Sequence, residues 1–233
     1  MSDMISIAVD GPSGAGKSSL ARRCAGAFGF VYADTGAIYR TVGLSAFRKG
    51  ISCKDEKAVS GLLPELDIRM SYNEAGEQRM FLNGEDVSEA IRKPEISICA
   101  SDVSALPAVR QFLLDMQRKI ARENNVIMDG RDIGTVVLPQ ADLKIFLTAS
   151  PEARAERRLK ELREKGTETD FESVLADIRY RDEQDSSRTD APLRKADDAV
   201  ELDTTELDFE ESFAAMSQLI IERFCLNGTD SKT

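Results

Sequence analysis

The sequence predicts an α/β fold: a doubly wound, five-stranded parallel sheet with a small inserted antiparallel sheet and a helical lid. Three observations lead there. Five short apolar runs alternate with helix-compatible stretches, the pattern of parallel strands joined by crossover helices. From residue 67 to about 91 that rhythm gives way to period-two sequence broken by turn signals. From 151 to 190 it gives way again, to two highly charged helical stretches.

The first strand is Ile5-Ser6-Ile7-Ala8-Val9, and it ends in Asp10-Gly11-Pro12-Ser13-Gly14-Ala15-Gly16-Lys17-Ser18-Ser19. Gly11, Gly16, Lys17 and Ser18 match G-x-x-x-x-G-K-[ST], a phosphate-binding loop between a strand and a helix. A chance match in a chain this long has a probability on the order of 1%. Glycine at positions 11, 14 and 16 lets several backbone N–H groups turn toward one anion. The helix that follows adds its positive dipole end. Lys17 suits the β- and γ-phosphate oxygens of a nucleoside triphosphate, and Ser18 offers a hydroxyl to Mg²⁺. The sheet is therefore of the P-loop NTPase type.

Leu20, Ala21, Cys24, Ala25 and Phe28 form one apolar stripe, so a helix is expected over 17–28, stopped by Gly29. Residues 30–33 are the second strand. Asp34-Thr35-Gly36 opens a helix over 37–49, ended at Gly50, and residues 55–63 form another, closed by Pro64. Residues 67–72 and 78–82 alternate as antiparallel strands around a turn at 73–77, with Asn83-Gly84 as a second turn. Helices follow over 95–105 and 107–123, the second with Pro107 in its first turn. Residues 126–128, 143–147 and 199–202 are the remaining strands. The charged helices run over 151–165 and 171–185, separated at Gly166-Thr167, and the last helix covers 209–224. The polar tail, 227–233, is expected to fray. The chain thus divides into a core (1–36, 107–150 and 191–226), an acceptor region (37–106) and a lid (151–190).

Composition narrows the chemistry. With 31 Lys and Arg against 41 Asp and Glu, the net charge of −10 disfavours a nucleic-acid polymer as partner. Histidine is absent, which excludes histidine general bases, Ser-His triads and the common zinc sites. Cys24, Cys53, Cys99 and Cys225 show no paired spacing, as expected of reduced thiols in a cytoplasmic protein. The N-terminus lacks a signal-peptide pattern, and no apolar run approaches a membrane span. A monomer without membrane partners is expected.

In an open parallel sheet, ligands bind at the carboxyl ends of the strands. Asp129, following Val126-Ile127-Met128, is placed there as a carboxylate for Mg²⁺ or its waters, beside Arg131 and Asp132. Arg40, Arg110, Arg131, Arg181 and Arg188 offer the forked, permanent charge that suits an acceptor phosphate. Arg154, Arg157, Arg158 and Arg163 lie among glutamates, and most of that run reads as a self-paired exposed face, with one or two arginines free to close over the nucleotide.

Ala8 to Ser18, then Asp34-Thr35-Gly36-Ala37-Ile38-Tyr39-Arg40, Asp129-Gly130-Arg131-Asp132-Ile133-Gly134-Thr135-Val136-Val137, and Arg181-Asp182 with Asp185 and Arg188 before Ala191-Pro192-Leu193 resemble bacterial cytidylate kinases, a branch of the nucleoside monophosphate kinases. The resemblance covers nearly the whole chain. It implies transfer of the γ-phosphoryl group of ATP to CMP or dCMP, with Mg²⁺, in pyrimidine nucleotide metabolism. Carried over by position, Gly11 to Ser19 would bind ATP. Thr35, Ser101, Arg110, Asp132 and Arg188 would recognise cytosine, Arg40 and Arg131 would grip the acceptor phosphate, and Arg181 and Asp185 would lie by the ribose. Lys17, Asp129, Arg131, Arg181 and Arg188 would carry catalysis, and Ser18 and Asp129 the metal. Ser18-Ser19 replaces the glycine-threonine of some members, leaving open which hydroxyl meets the metal. Competing readings are another small-acceptor P-loop kinase and a nucleotide sensor without turnover. A GTPase is disfavoured because no N-K-x-D motif occurs.

Overall fold

The structure is a computed structural model that describes residues 4–164 and 166–225; the tail expected to fray, 227–233, lies outside them. The chain runs β1 (Ser6–Asp10), α1 (Lys17–Phe28), β2 (Val31–Asp34), α2 (Thr35–Arg48), α3 (Glu56–Leu62), β3 (Ile68–Tyr72), β4 (Gln78–Leu82), β5 (Glu85–Asp86), α4 (Pro94–Ser104) and α5 (Pro107–Glu123). It continues through β6 (Val126–Asp129), β7 (Leu143–Thr148), α6 (Pro151–Glu164), α7 (Phe171–Ser186), β8 (Val200–Asp203) and α8 (Phe209–Phe224). Five strands form one parallel sheet in the order β2-β6-β1-β7-β8, and β3-β4-β5 form a separate antiparallel sheet. Both sheets are where the sequence places them. No helix among the described residues is long and apolar enough to cross a membrane.

Strand alternation sends Ile7 and Val9 to one face of the main sheet, against Leu20, Ala21 and Cys24 of α1 and Met216 and Ile220 of α8. Ala8, Val126 and Met128 face the other way, toward Ala121 of α5 and Ile133 and Val137. Burial on both faces explains why these strands are apolar throughout. A second core joins Ile38 and Val42 of α2, Val59, Met80, Leu82, Ile96 and Val103 to Val109 and Leu113 of α5. Helix α5 therefore belongs to both cores and fixes the acceptor region relative to the sheet. Each fully buried Ile or Leu in such a core contributes about 1.5–3 kcal/mol.

Register brings the carboxyl ends together: Asp34 lies opposite Asp129, and Asp129 opposite Val9, one residue before Asp10. Small departures from the expected boundaries have local causes. Helix α2 starts at Thr35 because the Asp34 side chain caps it, accepting from the Ala37 N–H at 3.0 Å. Pro64 sits in a short 3₁₀ turn, Leu63–Glu65, beyond the end of α3. A wide π-type turn over Ile133–Val137 was not expected. The Asp10 carboxylate holds its first N–H groups, Ile133 and Gly134, each at 2.7 Å. That long-range capture, not periodicity, makes the turn.

Candidate active site

The phosphate loop leaves the sheet at Gly11, whose φ of +148° only glycine tolerates; a Cβ there would stand 1.9 Å from the Leu147 carbonyl oxygen. Helix α1 begins without a side-chain cap, so its first N–H groups remain available to an anion. Lys17 is buried, and its Nζ donates to the Pro12 carbonyl at 2.7 Å, folded back over its own loop. Burial, followed by the nearby Arg131 guanidinium, pulls the Lys17 ammonium down to about 7. A phosphate arriving here would restore the charge that burial disfavours.

Asp129 at the end of β6 is the neighbouring carboxylate. Ser18 Oγ donates to its Oδ2 at 2.7 Å and Tyr32 Oη to its Oδ1 at 3.1 Å. Burial, with Asp34 adding repulsion, pushes Asp129 up to about 6. One hydroxyl and one carboxylate are hard oxygen donors that suit a small divalent cation taking its other ligands from phosphates and water. Ser18 and Ser19 are both exposed, and it is the Ser18 hydroxyl that reaches Asp129. Thr35 Oγ1 donates to the Asp129 carbonyl at 2.8 Å, so the start of α2 is pinned to the end of β6.

Four of the five expected arginines gather on this side, each held by a carboxylate. Arg40 Nη2 donates to Asp34 at 2.6 Å, and Arg131 Nε to Asp185 at 2.7 Å. Arg188 pairs with the other oxygen of Asp185, and Arg110 with Asp132. Burial alone would raise the Asp185 carboxyl; Arg131 and Arg188 outweigh it and hold it below its ordinary value. Asp190 adds a longer contact to Arg110 at 3.8 Å, so four arginines share four aspartates in a pre-aimed, charge-balanced cluster. Arg110 also donates to the Ser104 carbonyl at 3.2 Å, and Ser104 Oγ to that of Ser101 at 2.8 Å, tying the end of α4 to the cluster. A cavity of about 430 Å³ opens beside Arg110, lined by Tyr39, Leu114, Gln117, Val137 and Asp190. The side chain of Arg181, half-buried on α7, makes no ion pair or hydrogen bond with any described residue.

This arrangement sets a phosphate loop beside a carboxylate-held arginine cluster, in the crevice expected at the carboxyl ends of the strands. Residues 7–222 match the family model described as Cytidylate kinase. The chain belongs to the cytidylate kinase family. Its curated relatives include the cytidylate kinases of Syntrophotalea carbinolica, 47% identical over 223 residues, and Caldanaerobacter subterraneus, 52% over 207. These alignments cover 96% and 89% of this chain and 94% and 90% of the relatives. The sequence positions singled out for a cytidylate kinase lie around that crevice: Gly11 to Ser19, Thr35, Arg40, Arg110, Asp129, Arg131, Asp132, Asp185 and Arg188. Ser101 connects through Ser104, and Arg181 stands apart from the ion pairs.

The charged run on α6 departs from expectation. Among the described residues, Arg158, paired with Glu161 at 2.7 Å, is a self-paired exposed arginine of the kind anticipated there. Arg157 donates to carbonyls of Thr204 and Leu207, and Arg154 is buried against the phosphate loop. Asp10, Tyr32 and Gln78 are contributors that sequence reasoning passed over. Gln78 exchanges two hydrogen bonds with the Asp34 backbone, at 2.7 and 3.2 Å. Asp10, adjoining Gly11 at a strand end, was the most readable of the three.

Proposed function

We infer that this protein transfers the γ-phosphoryl group of ATP to CMP and dCMP, giving ADP and the cytidine diphosphates. The observation that carries the reading is the placing of the phosphate loop beside the acceptor arginines: Ser18 reaches Asp129 at 2.7 Å, and Arg131, two residues further on, pairs with Asp185 at 2.7 Å. In this assignment Gly11, Pro12, Ser13, Gly14, Ala15, Gly16, Lys17, Ser18 and Ser19 line the triphosphate side, all but Pro12 with a backbone N–H to offer. Lys17 leaves the Pro12 carbonyl for the β- and γ-oxygens. Ser18 and Asp129 would hold Mg²⁺, Ser18 being favoured over Ser19 by its bond to Asp129. The bound metal would neutralise charge on the phosphates.

On the acceptor side, Arg40 and Arg131 take the CMP phosphate, exchanging aspartate partners for phosphate oxygens. Thr35, Ser101, Arg110, Asp132 and Arg188 read the cytosine, and Arg181 and Asp185 lie by the sugar. A phosphate oxygen of CMP attacks the γ-phosphorus, the bond to the β–γ bridging oxygen breaks, and ADP departs with that electron pair. The nucleophile is already an anion, so no general base is needed, which suits a chain without histidine. Catalysis comes from alignment, charge neutralisation and the exclusion of water by the 151–190 lid. A coupled assay for ADP with each nucleoside monophosphate tests the assignment. CMP and dCMP are expected to turn over fastest, and Lys17→Met to abolish turnover. ADP release with another monophosphate alone, or full activity in Lys17→Met, would refute it.

A further inference from the structure

The phosphate loop and the acceptor arginines are joined by one buried guanidinium that neither site needs for its own contacts. Arg154, on the first turn of α6, is 3% exposed. Its Nε donates to the Ala149 carbonyl at 2.8 Å, and one Nη donates to the carbonyl of Ser13 in the phosphate loop at 2.9 Å. The two Nη atoms also grip the carboxylate of Asp182 on α7, at 3.0 and 2.7 Å. The lid lies directly on the loop here: a Cβ on Gly14 would stand 3.5 Å from Arg154 Cβ and 3.8 Å from Ile178 Cδ1. Asp182 is one helical turn before Asp185, the carboxylate shared by Arg131 and Arg188. Ser13, Arg154, Asp182, α7, Asp185 and the two acceptor arginines therefore form one continuous mechanical path. Only a planar fork satisfies three acceptors in these directions; an ammonium in the same place would satisfy fewer.

We propose that Arg154 and Asp182 are positioning residues that couple the two nucleotide sites, so that ATP and CMP each tighten the other's binding. A triphosphate seated in the loop fixes the Ser13 carbonyl. That fixes the guanidinium and the seat of α7, and hence the carboxylate that aims Arg131 and Arg188. By linkage the effect is reciprocal. The inference rests on the donor and acceptor assignments made above.

Calorimetric titration of the full-length protein with the β,γ-methylene analogue of ATP, with and without saturating CMP, reads the coupling directly. Wild type is expected to bind the analogue about fivefold or more tightly when CMP is present. In Asp182→Asn and in Arg154→Lys that ratio falls toward one, while CMP affinity measured alone stays within about twofold. The double variant loses no more coupling than either single one, because both remove the same link. A purely structural staple would lower the melting temperature and leave the ratio intact, and that result overturns the proposal. So does a wild-type ratio of one. Should Arg154→Lys fail to fold, the partly exposed Asp182→Asn decides alone. A wild-type protein that takes up neither nucleotide would refute the functional assignment instead.

Discussion

At Gly130 there is no room for a methyl group. A Cβ would lie 2.7 Å from Ile133 Cδ1 and 2.8 Å from the Thr35 hydroxyl, the same hydroxyl that ties α2 to β6. Gly130→Ala is expected to cost about 1–3 kcal/mol through overpacking. It should also lower kcat/KM for CMP more than about tenfold, by displacing Thr35 and Arg131 together. Thermal melts and steady-state kinetics check both, and unchanged kinetics would disprove the positional argument. Asp10 makes a different prediction. Burial pushes its carboxyl from 3.8 up to about 6, despite two N–H donors. Folded protein then holds this proton more tightly than unfolded chain. The stabilisation is complete below about pH 4 and is lost as pH rises toward 6. The scale is about 3 kcal/mol at most. Unfolding free energies of wild type and Asp10→Asn, measured between pH 4 and 6.5, should show the wild-type advantage shrinking with pH; a constant difference would contradict it. Gly130 and Asp10 both stood at strand ends in plain view. The Thr35 hydroxyl beside Gly130 and the Ile133 N–H held by Asp10 lie some 95 and 123 residues away in sequence, which no local pattern encodes.

The elements were more legible than these contacts. Helices α1, α5 and α8 occupy the spans that their apolar stripes and bounding glycine and proline signals indicate, because their positions follow local periodicity. The small antiparallel sheet was equally visible in the alternation of 67–82. Its docking was not, since it depends on two polar side chains. Tyr72 Oη donates to the Tyr32 carbonyl at 2.8 Å, and Gln78 holds the Asp34 backbone. The sheet thereby braces the junction of β2 and α2, where Asp34 in turn holds Arg40. Gln78→Ala leaves the partly buried Asp34 N–H without its partner, at a cost of about 1–3 kcal/mol. The loss falls on the acceptor side. KM for CMP is expected to rise roughly tenfold, with KM for ATP changing less than about twofold. Equal changes in both constants would show that the small sheet supports the molecule generally, not the acceptor junction.

Over the whole molecule, the net charge of −10 says nothing of the arginines gathered inside the crevice. Composition averages over a surface, whereas the site depends on which few charges the fold brings together. The same difference of scale governs motion. Helices α6 and α7 pack on each other through Ala155, Leu159, Val174, Leu175 and Ile178, an apolar cluster separate from those of the sheet and acceptor region. Such a unit opens without unfolding the cores beneath it. Its ties to the rest of the chain are polar: Arg154 to Ser13, Asp185 to Arg131, and Arg157 to Thr204 and Leu207. Arg157 fastens α6 to the loop after β8, away from the crevice, so α7 and the far end of α6 are the parts free to swing. Two of the three ties run to groups assigned to nucleotide binding, so occupancy of both sites should hold the lid down. Amide exchange in 158–186 is expected to slow about tenfold or more with the ATP analogue and CMP together, less with either alone, while exchange in β1 and β6 stays the same. Unaltered exchange across 158–186 with both nucleotides bound would mean that these helices are a fixed wall of the site and not a lid.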